Sequence, residues 1–181
     1  RVRDLDLVHG LGMGIDLAGR GRVRVRDHAQ ARPRRERGQV LVRGLAKALG
    51  PDRTREELVP FLNDSIDDED EVLLVVAEKL GTFDEFLGGK KHISCLLPPL
   101  ESLATVEEPT VREKAIESLC LLAGKMSDSG LKQHFVTMLR RLSKRDWFTC
   151  RISACSLFTI AYKRVSTANK AEFRGMFGQL C

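Results

Sequence analysis

Arg112-Glu-Lys-Ala115-Ile-Glu-Ser-Leu119 and Arg151-Ile-Ser-Ala154-Cys-Ser-Leu-Phe158 are one pattern written twice, thirty-nine residues apart. The same step backward from Val111, Ala115 and Leu119 reaches Val72, Val76 and Leu80, and forward it reaches Cys150, Ala154 and Phe158. Three apolar positions therefore recur in three successive windows. A second amphipathic stretch precedes each window: Leu62, Leu100 and Leu139 align at steps of thirty-eight or thirty-nine, as do Ile66, Ala104 and Ser143. Each unit reads as a pair of helices, and a period of this length means a stacked array. Two helices of roughly 12 to 15 residues cannot bury their apolar stripes alone, so neighbouring pairs share a core. The expected fold is an all-α, right-handed solenoid of antiparallel helix pairs.

Composition agrees with that reading. Of 181 residues, 43% are hydrophobic and only 6% aromatic, which suits a Leu-, Val- and Ala-rich helical array better than a sandwich of strands. The net charge of +5 is misleading, because residues 1–40 carry ten arginines and five acids while the remainder holds equal numbers of both signs. A nucleic-acid surface needs its cations clustered on one folded face, so nucleic-acid binding is not expected of the array. The five cysteines, Cys95, Cys120, Cys150, Cys155 and Cys181, include no C-x-x-C pair and fit reduced thiols in an intracellular protein. No run approaches the roughly 18 to 20 apolar residues of a membrane span, and Asp4, Asp6, His9 and Asp16 interrupt any signal peptide. No membrane partner is expected.

Residues 1–38 are rich in Gly and Arg and lack a sustained period, the composition of a disordered segment or of a mis-joined exon. Gly10, Gly12 and Gly14 do not make a dinucleotide loop, since no strand precedes them and no helix can follow. The array is expected over 39–181: a partial repeat at 39–50, repeats at about 53–82, 90–124 and 128–163, and a half repeat at 166–181. Leu41, Leu45, Ala48 and Leu49 form the stripe of the partial repeat, which Gly50-Pro51 ends. Thr54 and Glu57 have the spacing of a capping box for the next helix. Both ends lack polar capping units, so the array is expected to be truncated at both ends, with Met176, Phe177 and Leu180 exposing apolar surface.

Three stretches are more specific than the period. ELVPFLNDSIDDEDEVLLVVAEKLGTF (57–83), CLLPPLESLATVEEPTVREKAIESL (95–119) and RDWFTCRISACSLFTIAYKRVS (145–166) resemble the N-terminal HEAT repeats of the protein phosphatase 2A scaffolding A subunits. The resemblance runs from about residue 41 to 181, and residues 1–40 depart from it. It implies a non-catalytic scaffold that binds a phosphatase regulatory subunit directly, the catalytic subunit being held only by C-terminal repeats outside this sequence. It also implies that the contacts come from the turn inside each repeat. Those turns supply Asp68, Glu69, Asp70 and Glu71, then Glu107 and Glu108, then Arg145, Asp146, Trp147 and Phe148. Arg112 and Arg151, at equivalent positions, are expected to form a structural ladder with acidic turn residues of adjacent repeats.

The residues have plainer readings as well. Asp70 and Glu71 at a helix N-terminus gain about 0.3–1 kcal/mol from the helix dipole without any partner. The acidic run lacks the central Gly and ligand spacing of a calcium loop. Trp147 beside Phe148 is the sharper signal, with one ring expected to pack inward and the other to face out, against the alternative that both fill the inter-repeat core. His92 and His134 lie in different repeats with no carboxylate or cysteine at ligand spacing, and no nucleophile motif is present, so no catalytic residue, metal or cofactor is expected. Alternative readings are another HEAT or armadillo adaptor, such as part of a transport receptor, and a basic nucleic-acid arm joined to a solenoid. The cytoplasm is the expected location, with the nucleus as a second compartment.

Overall fold

Gly50 lies at φ 78° and ψ 172°, a left-handed conformation that glycine adopts without steric cost, and there the first helix of the protein turns a corner. The computed structural model describes residues 34–64 and 69–180, with side chains from residue 42 onward. The segments 1–33 and 65–68, together with Cys181, lie outside the described residues; Ile66, Asp67 and Asp68 are among them. All regular elements among the described residues are helical.

Helix α1 spans Arg34–Arg53 and bends at Gly50. It starts inside the segment expected to lack structure, where Arg34, Arg35, Glu36 and Arg37 are good helix formers. Its buried stripe is Val42, Leu45, Ala46 and Leu49, at i, i+3, i+4 and i+7, while Ala48, expected on that face, is exposed. Pro51 does not simply stop the chain; it opens the next helix, as its fixed φ permits. That helix continues through a π-helical turn, Thr54–Leu58, into α2, Val59–Asp64. Thr54 is thus three residues inside the helix rather than its cap. It is fully buried, and its hydroxyl donates to the Ala46 carbonyl at 3.2 Å. Glu57 instead pairs with Arg53, at 2.8 and 2.9 Å.

Helix α3 is Asp70–Leu80, and two 3-10 segments, Phe83–Phe86 and Lys90–Leu96, lead into α4, Leu97–Leu103. Helix α5 is Pro109–Lys125, with the proline where its missing N–H costs nothing. A short α6, Asp128–Gly130, and a π-helical turn, Leu131–Phe135, run into α7, Val136–Lys144; α8 is Phe148–Tyr162 and α9 is Thr167–Leu180. Helices α3, α5 and α8 stack in one layer, and α2, α4, α7 and α9 stack in the other. This is the α-solenoid the period implies.

The recurring positions build the shared core. Val111, Ala115, Leu119, Cys150, Ala154 and Phe158 are buried, as are Val76 and Leu80 one repeat earlier, but Val72 is 38% exposed. In α3 the neighbouring Leu73 is the inward residue instead, although Val111 and Cys150 at the same distance from their helix starts are covered. Leu62, Leu100 and Leu139 line the other layer. At the last junction Phe158 meets Phe173 edge-on at 5.1 Å and Phe177 at 6.0 Å. Met176 and Leu180 are half-buried against this cluster, so of the three residues expected to show apolar surface only Phe177 is exposed.

Buried hydroxyls join the repeats. Ser118 donates to the Ala77 carbonyl at 2.6 Å, Ser153 to Ala104 at 2.6 Å and Thr149 to Thr105 at 2.7 Å. These acceptors lie at helix C-termini, where carbonyls have no intrahelical partner, so each bond satisfies a group that would otherwise be stranded. The acceptors belong to the preceding repeat, which fixes the stacking register.

Ion pairs cross the same junctions. Lys125 reaches Asp84 at 2.6 Å, and one repeat later Arg164 meets Asp128 at 2.6 Å while donating to the Ala123 and Met126 carbonyls at 2.5 and 2.7 Å. In the other layer Arg141 grips the buried Glu101 through two bonds, at 3.2 and 2.5 Å, and Arg140 grips Glu172 through two at 2.8 Å. The hydrogen bonds from Arg140 hold the Glu172 carboxyl below its ordinary value of 4.5. A carboxylate depressed in the folded state contributes stability above its unfolded pKa and loses it as pH falls through the folded one. Glu172→Gln is therefore expected to flatten the fall in stability below about pH 4.5, measured by urea unfolding across a pH series. Its stability above that pH drops slightly, as for other exposed pairs.

Candidate functional site

The stacking of α3, α5 and α8 sets the turns before them in one row. The α2–α3 turn ends with Glu69, whose carbonyl accepts from the Val72 and Leu73 amides at 2.8 and 3.1 Å and so starts α3. Asp70 and Glu71 follow in its first turn, both exposed. Asp68 lies outside the described residues.

In the α4–α5 turn Glu108 is the N-cap: its carboxylate accepts from the Thr110 amide at 3.3 Å and the Thr110 hydroxyl at 2.8 Å. Glu107 is exposed. Arg112 closes this turn from within, donating to the Val106 and Glu107 carbonyls at 3.0 Å each. Arg112 holds backbone carbonyls of its own turn, while Asp67 and Asp68 of the preceding repeat's turn lie outside the described residues. Arg151 is exposed and, among the described residues, makes no hydrogen bond or ion pair. Among the described residues, adjacent repeats are tied by Arg43 on Glu85, Lys125 on Asp84, Arg140 on Glu172, Arg141 on Glu101 and Arg164 on Asp128.

The α7–α8 turn contains Arg145, Asp146, Trp147 and Phe148. Arg145 ends α7 in extended conformation, within 4.0 Å of Glu101, and Asp146 is exposed. Trp147 is 54% exposed and Phe148 52%, their ring centres 5.9 Å apart. Neither ring packs inward or fills the core. The inward positions are taken by Thr149 and Cys150, the former tied to Thr105. Ile152, one turn beyond Phe148, is 49% exposed and extends the apolar surface along α8. Sequence reasoning missed Ile152, although its spacing of four from Phe148 carries that signal.

Little else offers chemistry. Among the described residues no three His, Cys, Asp or Glu side chains lie together as metal ligands. Burial lowers the His92 pKa, with the charges of Arg55 and Lys91 acting in the same direction. Burial raises the thiols of Cys95 and Cys120, and a thiol so shifted is a poor nucleophile. An open groove between α5 and α8, lined by Cys120, Gly124, Ile160 and Lys163, gathers no acid or base pair. No helix among the described residues is long and apolar enough to cross a membrane.

No family model matches the chain. Individual relatives do. The chain is 59% identical over 137 residues to a probable serine/threonine-protein phosphatase PP2A regulatory subunit of Caenorhabditis elegans, covering 76% of this chain and 23% of the relative. It is 53% identical over 141 residues to the protein phosphatase 2A scaffold subunit of Dictyostelium discoideum, covering 77% and 24%. It is 54% identical over 137 residues to the beta isoform of the human 65 kDa regulatory A-type subunit of serine/threonine-protein phosphatase 2A, covering 76% and 23%. The chain thus spans about a quarter of the length of these relatives, whose names are those of scaffold and regulatory rather than catalytic subunits. An identity above one half over about three quarters of the chain places it in the family of protein phosphatase 2A scaffolding A subunits.

Proposed function

We propose that the chain serves as a non-catalytic scaffold, receiving a protein phosphatase 2A regulatory subunit on the row of turns before α3, α5 and α8. The observation that supports this reading is the pair Trp147 and Phe148, adjacent and each more than half exposed. Large rings left in water at a rigid helix start have little to contribute to folding, and tryptophan is enriched among the anchors of protein interfaces. The backbone beneath them is fixed by Thr149 and Ser153, so the rings are presented with little conformational freedom left to lose on binding. Glu69, Asp70, Glu71 and Glu107 extend the surface with carboxylates along the same row.

Trp147→Ala is expected to weaken binding of a purified regulatory subunit by roughly 30-fold, about 2 kcal/mol, with helical content unchanged by circular dichroism. Charge reversal at Asp70 and Glu71 should weaken it less, through slower association. Undiminished affinity in all of these variants, measured by calorimetry, removes the assignment.

A further inference from the structure

The aromatic pair is bracketed by cations. Lys144 and Arg145 precede it, Arg151 follows it, and all three are exposed. Arg151 lies four residues after Trp147 and three after Phe148, on the same flank of α8. The carboxylates nearby do not neutralise this surface. Asp146 is exposed among the three cations, Glu101 is buried and held by two bonds from Arg141 with Arg145 only at 4.0 Å, and Glu172, which feels the charge of Lys144, is gripped by Arg140. In the preceding turn Glu108 is engaged by Thr110, which leaves Glu107 as the other exposed acid on that side. The first two turns of the row are acidic, so the third differs from them in sign as well as in its rings.

We propose that Trp147, Phe148 and Ile152, with Lys144, Arg145 and Arg151, form a clamp for a partner segment in which apolar side chains are flanked by carboxylates. The inference rests on the scaffold reading above and specifies the chemistry that its third turn recognises. The rings and Ile152 supply the apolar contact area, and the cations set which flanking charge is accepted. A lysine-flanked segment meets like charges there and is rejected.

Trp147 is the single tryptophan of the chain, so its emission reports directly on this surface. The test titrates the full chain with three synthetic peptides sharing one Leu/Phe core, flanked by aspartate, by serine or by lysine, in low and physiological salt. The aspartate-flanked peptide is expected to shift Trp147 emission to shorter wavelength at roughly a tenfold lower concentration than the lysine-flanked one, with the gap narrowing as salt rises. In Lys144→Glu/Arg151→Glu the order of the two peptides is expected to invert. Equal midpoints, a preference for lysine flanks, or no shift with any peptide overturns the clamp. Binding of a purified regulatory subunit is measured alongside. If it depends on Trp147 but not on Lys144 and Arg151, the scaffold reading stands and the clamp falls. If it does not depend on Trp147, the scaffold reading itself falls.

Discussion

Phe135→Ala is expected to lower the stability of the array by about 3–5 kcal/mol. The ring is fully buried at the end of the π-helical turn that leads into α7, the helix that packs against α8, α4 and α9. Truncation removes a large apolar side chain and leaves a cavity whose walls are helices held at both ends by cross-repeat bonds, so collapse onto the void is restricted. The loss should also be local. In a solenoid each repeat contacts only its neighbours, so damage at Phe135 acts on its own repeat and the two beside it. Amide hydrogen exchange is therefore expected to show lost protection in α7, α8 and α9 and in the preceding α4 and α5, while α2 and α3 keep theirs. A uniform loss over the whole chain would show that the array unfolds as one block. A urea midpoint within error of the parent would mean that Phe135 is not a core residue.

Gly81→Ala carries the second-largest expected cost, about 2–4 kcal/mol, from overpacking and a strained hydrogen bond. Gly81 closes α3 with ordinary helical dihedrals, so its freedom of backbone is not the issue. Space is. A Cβ there would lie 2.5 Å from the Ser118 hydroxyl, 2.8 Å from its Cβ and 3.1 Å from its Cα, and the last of these cannot swing aside. The same serine donates to Ala77, so relief of the clash pulls a buried donor from its acceptor. Ser118→Ala alone should cost about 1–2 kcal/mol for the stranded carbonyl. The two changes share one contact, so the double variant is expected to cost less than the sum of the singles by about 1 kcal/mol in a urea-unfolding cycle. Strict additivity would deny the contact between α3 and α5 at this point.

The fold was legible because its signal is periodic. Ala115 and Ala154, thirty-nine residues apart, are both fully buried, and Leu100 and Leu139 repeat the lesson in the other layer. Helix ends were less legible where two signals compete. Thr54 and Glu57 have the spacing of a capping box, but Pro51 starts the helix earlier and makes Thr54 a buried cross-link. Val72 keeps the period yet is exposed, with the neighbouring Leu73 in the inward place. At the candidate site the sequence marked Trp147 and Phe148 as unusual without saying which way they point, because a turn between helices can send either ring to the core. Their common outward direction follows from Thr149 and Cys150 taking the inward places. The partners of Glu101, Asp84 and Asp128 were illegible for another reason: each lies about one repeat away, and nothing local to a carboxylate says which distant cation will meet it.

Among the described residues, the ion pairs that cross the first-helix layer lie at the later junctions, Glu101 with Arg141 and Arg140 with Glu172. At the earlier junction, between α2 and α4, the described residues add to apolar contact one bond from Arg55 to the Leu87 carbonyl. Apolar surfaces can slide over one another at little cost, whereas a two-bond carboxylate clasp resists both shear and separation. Curvature will therefore not be spread evenly when a ligand bends the array. The two clasped joints are expected to resist bending most, so the spacing between the second and third turns is held while a partner is accommodated.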